Sequence, residues 1–219
     1  MGKVKTRLNP YLSEEQCLGL YKAFLKDTAQ IVETIECDLK ILAYDSTQTM
    51  PAYLKRIFSA YLFYKQKGEN LGQRMQDACE FAKSKRAGKM VVIGSDAPTL
   101  PSSYIQEAFF HLEDNDVVLG PSVDGGYYLI GVKESSARLF ENIGWSSNKV
   151  FYQTLRNIQN LGKKCSVLAR WYDVDDYQGL CYLQTWLQQA QDKAVAKWTR
   201  KFLTLNRELK EQIMLRSEK

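Results

Sequence analysis

The stretch KMVVIGSDAP at residues 89–98 carries the clearest fold signal in the chain. Its apolar part, Met90–Ile93, lacks the alternation of a half-exposed strand, which predicts a strand that is covered on both faces and central in a sheet. Asp96 follows this strand, and ligands of open α/β sheets bind outside the carboxyl ends of the strands. A carboxylate there is suited to hold Mg²⁺ or Mn²⁺, which prefer oxygen ligands. The alternative is that Asp96 caps a helix or a turn.

Helical stretches alternate with short apolar strands through the rest of the chain, which is typical of an α/β fold with a mostly parallel sheet. The segment SEEQ at residues 13–16 predicts a capping box, in which Ser13 and Gln16 start a helix that runs to residue 35. Further helices are predicted over 51–63, 70–81, 101–112 and 147–161, and further strands over 39–44, 116–120, 127–132 and 165–171.

The composition excludes several kinds of chemistry. The 219 residues contain one histidine, His111, at the end of a predicted helix, and five cysteines without a C-x-x-C pair. One imidazole excludes multi-histidine metal sites, and a Ser-His-Asp triad would have to use His111, which we expect to be a helix-end residue. We therefore expect chemistry that uses carboxylates, lysines and arginines. An odd number of cysteines argues against a disulfide framework and predicts a reducing compartment, the cytoplasm. No apolar run approaches the roughly 18 residues that a membrane-spanning helix needs.

The net charge of +5 lies in residues 193–219, which hold eight Lys or Arg and three Glu, whereas residues 1–192 hold 22 basic and 22 acidic residues. A neutral body does not favour nucleic-acid binding. We therefore divide the chain into a domain of residues 1–190 and a basic amphipathic helical tail of residues 191–219. The apolar stripe of the tail predicts packing on the domain or on a second subunit, as in a homodimer, and the alternative is peripheral contact with the inner face of an anionic membrane. The stripe consists of Val195, Trp198, Phe202, Leu205 and Leu209.

A basic loop, GKVKTRL, occupies residues 2–8. Lys3, Lys5 and Arg7 stand at every second position, so an extended segment would present them on one side and let them surround a polyanion. Gly2 allows the backbone to approach a phosphate closely. The alternative is a solvated basic terminus.

A second motif, LGPSVDGGYYLIGV, occupies residues 119–132. Asp124, Gly125 and Gly126 suit a tight hairpin turn between two strands, because glycine accepts the positive φ values of such a turn. In the functional alternative, the glycines make room for a ring-shaped ligand and Asp124 accepts hydrogen bonds from its hydroxyl groups. The two interpretations are compatible.

A third motif, RWYDVDDYQGL, occupies residues 170–180. Asp173 and Asp175 are two positions apart after a strand, so they are suited to reach a metal ion that Asp96 also binds. Asp176 is expected to cap the helix that begins near Tyr177. The alternative is that the acidic cluster only starts this helix.

Together, these motifs resemble a bacterial family of GT-A-like nucleotide-diphospho-sugar transferases, some members of which are described as arsenosugar biosynthesis glycosyltransferases. The resemblance covers residues 2–183 and is carried by GKVKTRLNP, NLGQRM, GSDAPTLP, GPSVDGGYYLIG, GWSSNKVFYQT and DVD in family order. More distantly, the chain is similar to molybdenum-cofactor and phospholactate guanylyltransferases.

The resemblance implies a Rossmann-like, three-layer GT-A fold and a role for each motif. It implies that the loop with Gly2, Lys3, Lys5 and Arg7 binds the nucleotide phosphates. It also implies that Asp96, with Asp173 and Asp175, binds Mg²⁺ or Mn²⁺, and that Asp124, Gly125 and Gly126 line the sugar or acceptor side.

The sequence departs from the family pattern at two places. Family members usually have an apolar strand and a proline before the basic loop, which this sequence lacks, so we expect a gap in the sheet where that strand would lie. The family also tends to have a proline and a further acid where Tyr177 and Gly179 stand here.

We expect metal-dependent glycosyl transfer from a nucleotide-diphosphate sugar to an unknown small-molecule or lipid acceptor, with Asp124 as the candidate general base. The first alternative is a nucleotidyltransferase that releases pyrophosphate from a nucleoside triphosphate. The second is a binding protein with an impaired catalytic half.

Overall fold

The computed structural model describes residues 4–45, 50–134, 137–206 and 209. The described residues form two compact units. The first contains residues from 4–33, 95–100 and 172–209, and the second contains residues from 34–94 and 101–171. In the described part of the chain, the seven α-helices are α1 Glu14–Glu33, α2 Ala52–Ile57, α3 Leu71–Ser84, α4 Ser102–His111, α5 Val150–Asn160, α6 Tyr177–Gln189 and α7 Lys197–Leu205.

The strands of the described residues all belong to the second unit. They are β1 Ile41–Asp45, β2 Leu62–Gln66, β3 Met90–Ile93, β4 Val117–Pro121, β5 Tyr127–Val132 and β6 Cys165–Val167. β1 and β2 form a parallel pair, and the other four form a sheet in the order β3-β5-β4-β6. β5 is antiparallel to both neighbours and β4 is parallel to β6, so β3, β4 and β6 run in one direction. The predicted α/β class is confirmed.

The prediction that β3 is central is wrong within the described residues. β3 is an edge strand of the four-stranded sheet and pairs with β5, and Val91 to Ile93 are half-buried. β4 is central instead, and all of its residues are buried. An apolar run indicates that both faces of a strand are covered, but it does not indicate where the strand lies in the sheet. A strand that comes later in the sequence can insert between two earlier ones.

The helix predicted over 51–63 is wrong in its second half. α2 ends at Ile57, and after a turn the chain continues as β2, which pairs with β1. The apolar and aromatic residues near 58–64 fit a helical repeat and a short strand equally well, so their periodicity did not separate the two. The predicted start of the next helix agrees with the structure, since the Asn70 side chain caps α3 by accepting a hydrogen bond from Gln73 N at 3.0 Å.

The core of the second unit lies between the sheet and two helices. Met75 and Cys79 of α3 and Ile158 of α5 pack with Leu119 of β4 and Ile130 of β5, and all five are buried. Burial of such side chains stabilises a fold by about 1.5–3 kcal/mol each. β3 is joined to this core by its pairing with β5, and after β3 the chain enters the first unit at Ser95.

The connection between β4 and β5 is the turn that the DGG motif predicts. Gly126 N donates a 2.8 Å hydrogen bond to the Asp124 side chain. Gly125 has φ +91°, and a Cβ atom there would lie 2.3 Å from the carbonyl oxygen of Asn148. The backbone of Asn148 thus occupies the space beside Gly125, which explains this glycine by packing.

The first unit is helical. The predicted capping box is confirmed, because the Gln16 side chain accepts from Ser13 N at 2.8 Å and the Ser13 hydroxyl accepts from Gln16 N at 3.2 Å. α7 packs on α1, as the stripe of the tail predicts. Within the stripe, Leu209 is buried but Leu205 is 74% exposed. No helix in the described ranges is long and apolar enough to span a membrane.

Candidate active site

The loop before α1 holds Lys5 in a left-handed backbone conformation. Lys5 has φ 53° and ψ 42° and precedes the 3-10 turn Thr6–Leu8. Leu8 is fully buried, and its N–H donates to the Lys5 carbonyl at 2.9 Å. A left-handed conformation costs a residue other than glycine on the order of 1–3 kcal/mol, so these contacts must hold it. Gly2 and Lys3, the other predicted members of the loop, lie outside the described residues.

The ammonium group of Lys5 lies between two carboxylates. Nζ is 2.8 Å from Oδ1 of Asp96 and 2.8 Å from Oδ1 of Asp175, and it donates a 2.7 Å hydrogen bond to the carbonyl of Val174. The Lys5 side chain is 5% exposed, whereas the Asp96 and Asp175 side chains are 34% and 43% exposed. Three predicted site residues therefore meet at one cation position.

The charges of this cluster shift the pKa values of its members. Burial alone lowers the pKa of Lys5, but the charges of Asp96 and Asp175 more than offset burial and raise it. Burial raises the pKa of Asp96, the charge of Lys5 opposes that rise, and Asp175 adds to it. Two acids share one ammonium, so the ionised cluster has an excess negative charge and attracts a further cation.

The two acids come from segments that are hydrogen-bonded to each other. Val174 N donates to the carbonyl of Asp96 at 2.9 Å, which places Asp175 beside Asp96. The Thr99 hydroxyl donates to Tyr172 OH at 2.6 Å, and both residues are buried. The backbone pairing and the buried side-chain bond together fix the separation of the carboxylates.

A pocket of about 280 Å³ opens beside this cluster, and its volume is just below the usual range for ligand pockets. Arg7 is exposed at its wall and makes no hydrogen bond or ion pair in the described part of the chain. The Tyr21 hydroxyl lies 3.2 Å from the Ser95 hydroxyl. The pocket therefore joins a guanidinium that is available for an anion to a cluster that attracts cations. The lining residues are Val4, Lys5, Thr6, Arg7, Tyr21, Asp96 and Asp175.

Asp173 does not line this pocket, although Asp175 does. Residues two apart point to the same side only while the segment is regularly extended, and here the chain turns into α6. The neighbouring Asp176 caps α6 by accepting from Gly179 N at 2.8 Å, as predicted. A metal-binding role of Asp173 stays a prediction.

The remaining predicted residues belong to the second unit. Asp124 is exposed in the turn between β4 and β5, with Gly125 and Gly126 beside it. The role of these three residues on the sugar or acceptor side stays a prediction.

Sequence reasoning missed two contributors to the site. Tyr21 belongs to the apolar repeat of α1, which predicts a core residue rather than a pocket residue. The carbonyl of Val174 is a backbone group, which no side-chain motif can indicate. For Val174, the available signal was a strand end that is followed by acids at alternate positions.

The residues around Lys5 fit a divalent cation. Two carboxylate oxygens and one carbonyl oxygen already surround a positive group, and Mg²⁺ is commonly held by one or two carboxylates together with substrate phosphates. Within the described ranges, no group of three or more His, Cys, Asp or Glu side chains is arranged to hold a metal. A cation at this place would therefore need the phosphates of a substrate to complete its ligands.

Comparisons with known proteins give the family and its relatives. The chain is 28% identical over 134 residues to a 2-phospho-L-lactate guanylyltransferase of Methanobrevibacter smithii, which covers 61% of this chain and 58% of the relative. It is 25% identical over 157 residues to the enzyme of the same name from Methanobrevibacter ruminantium, which covers 68% and 66%. The chain thus spans about three fifths to two thirds of the length of these curated relatives.

A solved structure from Desulfovibrio desulfuricans G20, described provisionally as a nucleotide-diphospho-sugar transferase, is 30% identical. It matches with a TM-score of 0.84 over 97% of this chain and 92% of its own. The fold is therefore that of the GT-A-like nucleotide-diphospho-sugar transferases, and the relatives in both comparisons are transferases. The model of the family DUF2064, an uncharacterized protein conserved in bacteria, matches residues 28–147. The chain belongs to this family.

Proposed function

We propose that the chain is a metal-dependent transferase that moves a glycosyl group from a nucleotide-diphosphate sugar to a small-molecule or lipid acceptor. The observation that carries the proposal is the pocket in which Arg7 lies beside the acids that hold Lys5. A diphosphate is the ligand that needs both features, because it brings negative charge for Arg7 and oxygen atoms for a cation held by Asp96 and Asp175.

The residues of the pocket act by binding and charge stabilisation. Arg7 binds phosphate oxygens with its guanidinium, which suits two oxygens at once. Asp96 and Asp175 would hold Mg²⁺ or Mn²⁺, which would supply positive charge to stabilise the departing nucleoside diphosphate. Asp124 stays the candidate general base for the acceptor, and a partner hydroxyl must come within about 3 Å of its carboxylate for that role.

The second candidate is nucleotidyl transfer, and the guanylyltransferase relatives favour it. In that reaction the phosphate-binding residues would take a nucleoside triphosphate, and a phosphorylated partner would attack its α-phosphate with release of pyrophosphate. The same charges serve both reactions, since each leaves negative charge on a phosphate oxygen.

Two measurements test these candidates. Thermal shifts with GDP-, UDP- and TDP-sugars and with GTP and CTP, each with Mn²⁺, identify the donor class by stabilisation. Phosphorus NMR of turnover mixtures then separates released nucleoside diphosphate from pyrophosphate. Failure of every nucleotide to stabilise the protein contradicts both candidates.

We further propose that the surface of α7 contacts an anionic membrane, where a lipid acceptor would be found. Nζ of Lys26 lies 4.5 Å from the centre of the Trp198 ring, and those of Lys197 and Lys201 lie 5.7 and 5.8 Å away. A tryptophan among lysines suits the interface of an anionic bilayer. The protein should sediment with phosphatidylglycerol vesicles, and the Lys197→Gln, Lys201→Gln variant should stay in the supernatant. Equal binding of the protein to phosphatidylcholine vesicles contradicts the proposal.

A further inference from the structure

Lys5 lies among the oxygens that the proposed function assigns to a metal ion. Its Nζ is 2.7–2.8 Å from three oxygens, those of Asp96, Asp175 and Val174. We propose that Lys5 is a tethered cation that competes with the divalent cation, and that a nucleotide phosphate releases the site by drawing Lys5 away. The inference rests on the metal site of the proposed function.

The competition follows from the geometry. A divalent cation binds oxygen ligands at about 2.0–2.6 Å, so an ion on Oδ1 of Asp96 and Oδ1 of Asp175 would take the space of the ammonium. Oδ1 of Asp96 is buried, and in the described part of the chain its close contact is the ion pair with Lys5. Either cation can satisfy this oxygen, but the two positive groups repel each other when both are present.

The loop is built in a way that allows Lys5 to leave. Lys5 is a non-glycine residue with φ 53°, a conformation that is kept only while its surroundings hold it. The three oxygen contacts of the Lys5 side chain are among the contacts that keep the backbone in this conformation. A phosphate in the pocket beside Arg7 would offer the ammonium another set of anionic oxygens, so Lys5 need not become unpaired when it moves.

Metal and nucleotide should therefore bind cooperatively. In the protein alone, a metal ion must displace Lys5 before it reaches its ligands. With a nucleotide bound, Lys5 is already engaged by phosphate, so the metal ion meets free oxygens. Reciprocity requires that the metal ion strengthens nucleotide binding by the same factor.

The decisive experiment measures Mn²⁺ binding without nucleotide, by calorimetry or electron paramagnetic resonance, in the wild type and in Lys5→Met. We expect Lys5→Met to bind Mn²⁺ about tenfold more tightly, within the usual range for coupled sites. Arg7→Met is the matched control, because it removes one positive charge from the same loop without touching the three oxygens, and its affinity should change less than about threefold. Adding Asp175→Asn to Lys5→Met should remove the gain in Mn²⁺ affinity.

Equal Mn²⁺ affinity of Lys5→Met and Arg7→Met overturns the inference, because removal of Lys5 would then not open the site. An absence of Mn²⁺ binding in both variants also overturns it, because the oxygens around Lys5 would then not form a metal site. Circular dichroism checks that each variant is folded. A second measurement adds GDP or UDP, which should tighten Mn²⁺ binding in the wild type and do so less in Lys5→Met. If neither nucleotide binds, the proposed function fails, while the metal comparison still decides the competition.

Discussion

A buried carboxylate on α1 should control the attachment of α7. Asp27 is 2% exposed, and its two oxygens accept hydrogen bonds from Trp198 N and Thr199 N at 2.8 Å and from the Thr199 hydroxyl at 2.6 Å. These N–H groups belong to the first turn of α7, where they lack partners within the helix. Asp27 thus caps a helix that is distant in sequence.

The free energy lost when the Asp27 carboxylate is removed follows from these contacts. Asp27→Ala removes a helix cap, which costs about 0.5–2 kcal/mol, and leaves the buried Thr199 N–H without an acceptor, which costs about 1–3 kcal/mol. We expect the free energy of unfolding to fall by about 2–4 kcal/mol. Thr199→Val removes only the hydroxyl donor and should cost about 1 kcal/mol. Asp27→Asn keeps one acceptor oxygen and should fall between the two.

The stability that Asp27 contributes decreases as the pH rises. Burial raises the pKa of Asp27 above its ordinary value, and the hydrogen bonds from Thr199 and Trp198 offset only part of that rise. The folded state therefore holds this proton more tightly than the unfolded state does. The resulting stability is complete below the ordinary pKa of aspartate and is lost as the pH rises through the folded pKa. The cost of Asp27→Ala should accordingly be larger at pH 4 than at pH 7.

Urea unfolding followed by tryptophan fluorescence measures these differences. Asp192→Ala is the matched control, because Asp192 also accepts a backbone hydrogen bond, from Ala194 N at 2.8 Å, but does so at the surface. Its cost should stay below about 1 kcal/mol. An Asp27→Ala variant as stable as Asp192→Ala would refute the claim that this carboxylate holds α7.

Three further changes test the turn and the pocket. Gly125→Ala should cost about 2 kcal/mol or more in urea unfolding, because the new Cβ would meet the Asn148 carbonyl at 2.3 Å, and an unchanged midpoint would contradict this. Arg7→Met should weaken binding of a nucleoside diphosphate at least about tenfold in calorimetry, with unfolding unchanged, because it removes a charged hydrogen-bond donor. Asp175→Asn should weaken Mn²⁺ binding in the presence of nucleotide more than Asp173→Asn does, because only Asp175 lines the pocket, and the reverse order would move the metal site to Asp173.

Local patterns predicted the parts of the fold that local physics determines. The capping residues Ser13, Asn70 and Asp176 start their helices where the sequence indicates, because a cap is a bond between residues three apart. The DGG turn joins its strands for the same reason. Strand order was not accessible in this way, since β5 returns between β3 and β4 and leaves the most apolar strand at an edge.

The site shows the same division. Asp96 was predicted from its place after a strand, and Lys5 and Arg7 from their alternation, but the contact between Lys5 and Asp175 joins residues 170 positions apart. The left-handed backbone of Lys5 turns its side chain away from the row that an extended loop would present. The sequence therefore indicated the charged residues of the cluster, but not Tyr21, the Val174 carbonyl or the place of the ammonium between the two acids.

Because these residues meet only in the folded first unit, ligand binding and stability are linked there. Unfolding of this unit separates Lys5, Asp96 and Asp175, so a ligand that binds them stabilises it, by about 2.7 kcal/mol at a concentration of 100 times Kd. That gain lies within the range of about 2–4 kcal/mol expected for loss of the Asp27 cap. A ligand of the pocket should therefore restore most of the stability of Asp27→Ala without contacting α7.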